Sequence, residues 1–208
     1  MTEHIDGERL NEDLRYRFEY LTKFVNFTDA DINALNTSST IIVPVIPVIV
    51  DSVYRKFFQY DLTKNFFVLR NDGFDGQLAN SDMLTLDSAQ MNYRRDMLSG
   101  YLKRVFLQRQ WTDDFLQYLS RVGRLHTNKS GSTAINVDFI HINATFTYIE
   151  TLIMDVIWNA EHLEKKTKKE ILVALAKMFR ILSDFFLFHY LQPSIKSTDE
   201  KPEKCICS

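Results

Sequence analysis

The chain has 208 residues, of which 45% are hydrophobic and 13% aromatic, with 16 Phe but only six Gly and four Pro. This length suits one domain with a sizeable core, and the scarcity of turn-forming residues favours long helices over many short strands. A formal net charge of −2 provides no concentrated basic face, so nucleic acid is excluded as an expected partner.

The first part of the chain predicts two helix starts. Residues 8–25 carry large apolar side chains near helical spacing, which predicts a first helix. Thr28 is followed by two aspartates, and this pattern predicts the N-cap of a second helix, because a hydroxyl can cap the free N–H groups and acids favour the first turn.

The most apolar run, Ile41–Val50, contains Pro44 and Pro47. We expect residues 38–43 to form a loop, with the prolines in the first turn of a helix that continues to about Tyr60. Ten residues are too few to cross a membrane, which needs about 20. The N-terminus has no apolar signal-like segment, so a cytoplasmic protein with reduced cysteines is expected.

The rest of the chain predicts four helices around one core. The Asn/Asp/Gly-rich residues 71–76 and the polar residues 127–133 interrupt the helical patterns. The predicted segments are residues 87–109, a helix capped by Thr112, a long helix from Phe139 to Ala160, and a second long helix that includes Ile171 to Phe185. These signals predict an all-α protein, and they fit a globin-like fold or a generic helical bundle.

His126 lies on the apolar face of the helix that follows Thr112. Phe115, Leu119, Val122 and His126 are separated by steps of four, three and four, which places them on one buried stripe. A histidine there is either a core residue satisfied by hydrogen bonds or a ligand directed into a dry pocket, as haem iron requires. A ligating imidazole would donate its other N–H to a carbonyl one turn earlier, that of Val122.

Three separated segments resemble, in order, the protoglobin and globin-sensor family. Tyr118–His126 (YLSRVGRLH) is similar to the segment around that family's proximal histidine, in which a Val-Gly pair precedes the histidine. Residues 20–35 resemble the early segment, and Ile49–Tyr54 (IVDSVY) resembles the distal helix with its tyrosine. The resemblance covers roughly residues 8–190 and implies a globin-like fold with an extra N-terminal helix, in a domain of residues 1–193.

The resemblance also implies a cofactor and its ligands. It implies b-type haem that reversibly binds a diatomic gas (O₂, CO or NO), with His126 as the proximal iron ligand and Tyr54 as the distal hydrogen-bond donor. Val53 departs from the family, in which many members carry Trp before this tyrosine, and this reduces distal crowding. Tyr54 and the other predicted pocket walls also fit plain core packing; those walls are Phe66, Phe67, Leu98, Tyr101, Val122, Phe139 and Phe146.

Several functions fit such a protein. A gas or redox sensor is the first, and conversion of NO to nitrate would need a reductase supplied by another protein, because the chain has no flavin or nicotinamide domain. A haem-free helical interaction module is the alternative from another class. His141 could act as a second iron ligand, and the two last long helices could pair between two copies of the chain.

The C-terminal residues 194–208 are polar and charged, which predicts a disordered tail. The chain ends Cys205-Ile206-Cys207-Ser208, which fits the C-a-a-X pattern for farnesylation of Cys205 in a eukaryotic source. The fit is imperfect, because Cys207 occupies a position that is usually aliphatic. The two readings are a membrane anchor through a lipid on Cys205 and an unmodified tail whose thiols respond to oxidants.

Overall fold

A computed structural model describes residues 2–70, 73–133 and 135–192, and within these ranges it contains helices and no strands. The predicted all-α class is therefore confirmed. The helices are α1 (Leu14–Val25), α2 (Asp29–Phe57), α3 (Asp61–Asn65), α4 (Ala89–Phe106), α5 (Asp113–Leu125), α6 (Phe139–Trp158) and α7 (Lys165–Leu191), with 3₁₀ turns at Arg9–Asn11, Phe66–Val68 and Asn128–Thr133.

The long helix α2 lies at the centre of the packing. It contacts α4, α6 and α7, while α6 and α5 each pack on α7, and α1 crosses α5 and α7. Ile42 and Ile46 of α2 and Ile153 of α6 have no exposed surface. Each such side chain contributes about 1.5–3 kcal/mol by leaving water, so this one shared core accounts for the association of the helices.

The start of α2 is fixed by side-chain hydrogen bonds. The backbone N–H of Thr28 donates to a carboxylate oxygen of Asp31 over 2.8 Å, and the Thr28 hydroxyl donates to the same oxygen over 3.2 Å. Asp31 also accepts from Lys177 of α7 at 2.9 Å. The predicted helix start at Thr28 is therefore confirmed, and the same carboxylate ties this end of α2 to α7.

The loop expected at residues 38–43 is wrong, because α2 runs through these residues and through both prolines without interruption. The hydroxyls of Ser38 and Ser39 donate to carbonyls three residues earlier in the same helix, so these polar side chains are satisfied without leaving it. Pro44 and Pro47 are exposed. On that side water can hydrogen-bond the carbonyls that a proline leaves without an N–H donor.

Among the described helices, α2 is the one whose length and apolar composition would suit a membrane span. The apolar run Ile41–Val50 is only one part of α2, so the ten residues of that run underestimate the length of the apolar helix. Ile49, Val50 and Val53 of α2 are at most 4% exposed in the core shared with α4, α6 and α7. A core helix of a soluble protein can have the same length and composition, and the buried residues of α2 form part of the core.

The approach of α5 to α7 depends on Gly123. A Cβ atom added at this position would lie 2.7 Å from the carbonyl oxygen of Phe185 and 3.0 Å from the Cα of Phe186. The side chains of Ser120 and His189 join the same two helices through a 2.8 Å hydrogen bond. Only a residue without a side chain permits this spacing between α5 and α7. The spacing therefore sets the position of the C-terminal end of α5 and of His126, which follows it.

We predict that Gly123→Ala lowers the free energy of unfolding by about 1–3 kcal/mol, because the added methyl forces α5 away from α7. Gly100→Ala in α4 is the matched control, since no atom lies within 4 Å of its added Cβ. That change should raise stability by about 0.5–1 kcal/mol through helix propensity. Urea denaturation followed by circular dichroism measures both; equal stabilities of the two variants would contradict the close contact at Gly123.

Candidate functional site

A cavity of about 390 Å³ lies between α4 and α5 and is closed by α2, α3, α6 and α7. Pockets of roughly 300–1,000 Å³ hold small molecules and cofactors. Most of the lining is aromatic or aliphatic, and nine of the 22 lining residues also carry polar groups. The residues with polar or ionisable groups are Tyr54, Thr63, Arg94, Tyr101, Tyr118, Arg121, His126, His141 and Thr145.

His126 follows the last residue of α5 and presents its ring to the cavity. Its Nδ1 donates to the carbonyl oxygen of Val122 over 2.8 Å, which is the bond that the sequence predicts. This bond places the ring proton on Nδ1 and leaves Nε2 with a free lone pair. The Phe186 ring, whose centroid is 5.1 Å from that of the imidazole, packs against it from α7.

The surroundings keep His126 neutral. Enclosure by protein lowers the pKa of His126, because the charged imidazolium loses its hydration. The hydrogen bond to Val122 acts in the opposite direction, and the positive charge of Arg94 lowers the pKa further. A neutral imidazole with one free nitrogen is the form in which histidine binds a metal.

Tyr54 lies near the C-terminal end of α2 and is 7% exposed. Its hydroxyl donates to the carbonyl oxygen of Arg94 over 2.9 Å, and its ring contacts that of Phe67 at 5.5 Å between centroids. Burial raises the pKa of Tyr54, so the phenol stays protonated. The structure therefore places Tyr54 in the cavity wall, with its proton engaged by the main chain of α4.

Six of the seven other predicted wall residues line this cavity, namely Phe66, Phe67, Leu98, Tyr101, Val122 and Phe146. Phe139 differs from the prediction. It is the first residue of α6, one turn before the stripe of Ile142, Phe146 and Ile149 that faces the cavity, and its ring packs on Tyr190 at 5.3 Å between centroids. His141 lines the cavity, with its ring edge against Phe66 at 5.5 Å.

Sequence reasoning missed Arg94 and Phe186. Arg94 is 5% exposed, and the sequence contains a signal for it: Met91, Arg94 and Leu98 follow the spacing of the buried face of α4. A charged residue on an apolar stripe points to a site inside the protein. Phe186 follows Phe185 on α7, and periodicity alone does not show which aromatic ring of such a pair meets the histidine.

Two buried polar atoms of the cavity wall have no hydrogen-bond partner among the described residues: Nε of Arg94 and the hydroxyl oxygen of Tyr101. Buried polar groups are nearly always paired in folded proteins. The wall thus combines the His126 imidazole, whose Nε2 is free, with two unused polar groups and extensive apolar surface. These residues fit haem, which needs an axial imidazole and a dry pocket.

The protoglobin family model matches residues 14–195 of the chain. The chain belongs to the protoglobin family. Membership implies haem binding, which the cavity of this protoglobin fits. It also confirms the family resemblance found in the sequence. No curated protein sequence matches the chain.

A solved structure, the globin domain of a Geobacter sulfurreducens globin-coupled sensor, matches this protoglobin with a TM-score of 0.63. The two chains are 13% identical, and the match covers 84% of this chain and 97% of the other. At this identity the match shows the fold alone. The predicted globin-like fold is therefore confirmed.

Proposed function

We propose that this protoglobin binds b-type haem in the cavity and reversibly binds a diatomic gas there, as a gas or redox sensor. The observation that carries the proposal is His126, a neutral imidazole with a fixed tautomer and a free Nε2 at a large apolar cavity. When bound, the haem supplies an iron centre with a coordination position for the gas.

Three kinds of residue would hold the cofactor: an imidazole, apolar side chains and an exposed arginine. His126 would bind the iron through Nε2, with its orientation kept by Val122 and by the ring of Phe186. Leu98 and Phe146 would exclude water from the macrocycle. Arg121 lines the cavity and is exposed, so it would neutralise the cofactor carboxylates at the solvent edge.

Tyr54 would supply a hydrogen bond to the gas, because a phenol donor stabilises partial negative charge on a bound diatomic. Its hydroxyl donates to the Arg94 carbonyl. To serve the gas, the hydroxyl would donate its proton to the gas instead of to this carbonyl.

We predict that His126→Ala abolishes the red ferrous–CO complex that wild type forms after reconstitution with haemin and reduction, because the variant lacks the axial nitrogen. His141→Ala is the matched control, since His141 also lines the cavity and can act at most as a second ligand. Its CO complex should form at full stoichiometry. Absorption spectra of the three proteins at equal concentration test this.

Failure of well-folded wild type to take up haemin would contradict the proposal and favour the alternative, a haem-free helical interaction module. Loss of the CO complex in His141→Ala but not in His126→Ala would assign the role of axial ligand to His141 of α6.

We predict that Tyr54→Phe raises the O₂ dissociation rate about tenfold, the effect of losing one hydrogen bond of ordinary strength. Tyr101→Phe is the comparison, because it removes the other buried phenol of the cavity. Stopped-flow displacement of O₂ by CO measures the rate. An unchanged rate in Tyr54→Phe removes this residue from gas stabilisation, and an increase confined to Tyr101→Phe assigns the hydrogen bond to Tyr101.

The tail and the oligomeric state stay predictions. Residues 194–208, with Cys205, lie outside the described residues, and we propose a cytoplasmic protein that a lipid on Cys205 attaches to membranes. Mass spectrometry of the chain expressed in eukaryotic cells should show a farnesyl adduct with loss of the last three residues; an intact CICS terminus contradicts it.

Dimerisation through α6 and α7, where Trp158 and Val173 are 64% and 45% exposed, is decided by the molar mass in solution.

A further inference from the structure

Arg94 is a buried cation whose charge has no acidic partner within the described part of the chain. Burial lowers the pKa of Arg94, and no carboxylate raises it. Its Nη2 donates to the carbonyl oxygen of Leu69 over 2.8 Å, and its guanidinium carbon lies 5.3 Å from the centroid of the Phe67 ring. These contacts use one of the five N–H donors of the side chain.

This arrangement is costly for the protein alone. A guanidinium stays protonated in proteins, and a buried charge without a counter-charge loses several kcal/mol of hydration energy. Its Nε also lacks a hydrogen-bond acceptor among the described residues, as does the hydroxyl of Tyr101 in the same wall. An anion within the cavity that reached the guanidinium would supply the missing counter-charge and an acceptor, because charge-assisted hydrogen bonds are the strong ones.

Two anions could fill that role: a carboxylate of the cofactor and a small inorganic ion. Charged carboxylates favour the solvent edge, where the exposed Arg121 lines the cavity. Arg94 is 95% buried, beside Tyr54 and Phe67, and is therefore poorly placed for a group that keeps contact with water.

We propose that Arg94 is a specificity-determining residue: its guanidinium would make the haem-loaded cavity favour small monovalent inorganic anions, of the azide, fluoride and nitrite class, over neutral ligands. This inference rests on the proposed function, because the anion shares the haem-loaded cavity. The side chain offers its unused N–H groups as donors, and the surrounding apolar walls strengthen the attraction by excluding water.

The test is an azide titration of the haemin-reconstituted ferric protein, followed by absorption. Arg94→Met should raise the azide Kd about 10- to 100-fold, the range for loss of a hydrogen bond to a charged group. The Kd for imidazole, a neutral ligand, should change by less than about threefold, because the iron and its axial nitrogen are untouched. Equal weakening of both ligands would mean a general disturbance of the cavity and overturn the proposal.

Arg95→Met is the matched control. Arg95 is the next residue of α4, but it pairs with Asp51 and does not line the cavity. Its removal deletes the same charge from the chain and should leave the azide Kd within about threefold of wild type. An increase of the azide Kd in Arg95→Met as large as in Arg94→Met would show that the loss of net positive charge, and not of a contact from residue 94, weakens azide binding. That result would overturn the proposal. Where Arg94→Met folds poorly, Arg94→Gln takes its place with the same expectation.

Haemin and its dimethyl ester distinguish the two sources of anion. If Arg94 pairs with a cofactor carboxylate, Arg94→Met weakens uptake of haemin but not of the diester, and the azide Kd stays constant; that result overturns the proposal. The apoprotein gives a readout without cofactor. Its midpoint of thermal unfolding should not fall in Arg94→Met, and a fall beyond about 4 °C would show a structural anchor instead.

The two proposals fail differently. No haemin uptake by wild type removes both, whereas haem binding with an unchanged azide Kd in Arg94→Met removes the anion site alone.

Discussion

The close contact between α5 and α7 at Gly123 determines where the imidazole of His126 lies, because the histidine ends the same short helix one turn later. An added Cβ at residue 123 would lie 2.7 Å from the Phe185 carbonyl oxygen, and the next residue of α7, Phe186, packs on the imidazole ring. The histidine is thus held by its own helix on one side and by α7 on the other. The role proposed for His126 as an iron ligand needs this rigidity, since a loosely held imidazole would bind metal less tightly.

Main-chain carbonyls orient the polar groups of the cavity. Nδ1 of His126 donates to the Val122 carbonyl, and the hydroxyl of Tyr190 lies 3.1 Å from the His126 carbonyl oxygen. Carbonyls of helix ends and irregular segments need donors, and the site side chains supply them. The same bonds that satisfy the backbone therefore also orient the side chains of the cavity.

Periodicity and composition were sufficient for the helices, because a buried stripe repeats over many residues and small errors average out. They failed at residues 38–43, where Ser and Thr suggest a loop but their hydroxyls bond within α2. For the cavity, the resemblance to a family motif located His126, which spacing alone left ambiguous. The sequence places Arg94 on the buried face of α4, but its partners Leu69 and Phe67 come from a separate segment and needed the structure. Phe139 is predicted as a cavity wall but packs on Tyr190, since a stripe indicates burial without showing what a side chain is buried against.

The bond between Tyr54 and residue 94 joins a side chain to a backbone oxygen. The tie between α2 and α4 is therefore indifferent to which amino acid occupies position 94, provided that the helix persists. A substitution there changes the charge of the cavity lining and removes the bond from Arg94 to Leu69, whereas the bond from Tyr54 needs only the backbone oxygen. The electrostatic character of the cavity and the bond between α2 and α4 thus depend on different atoms of one residue.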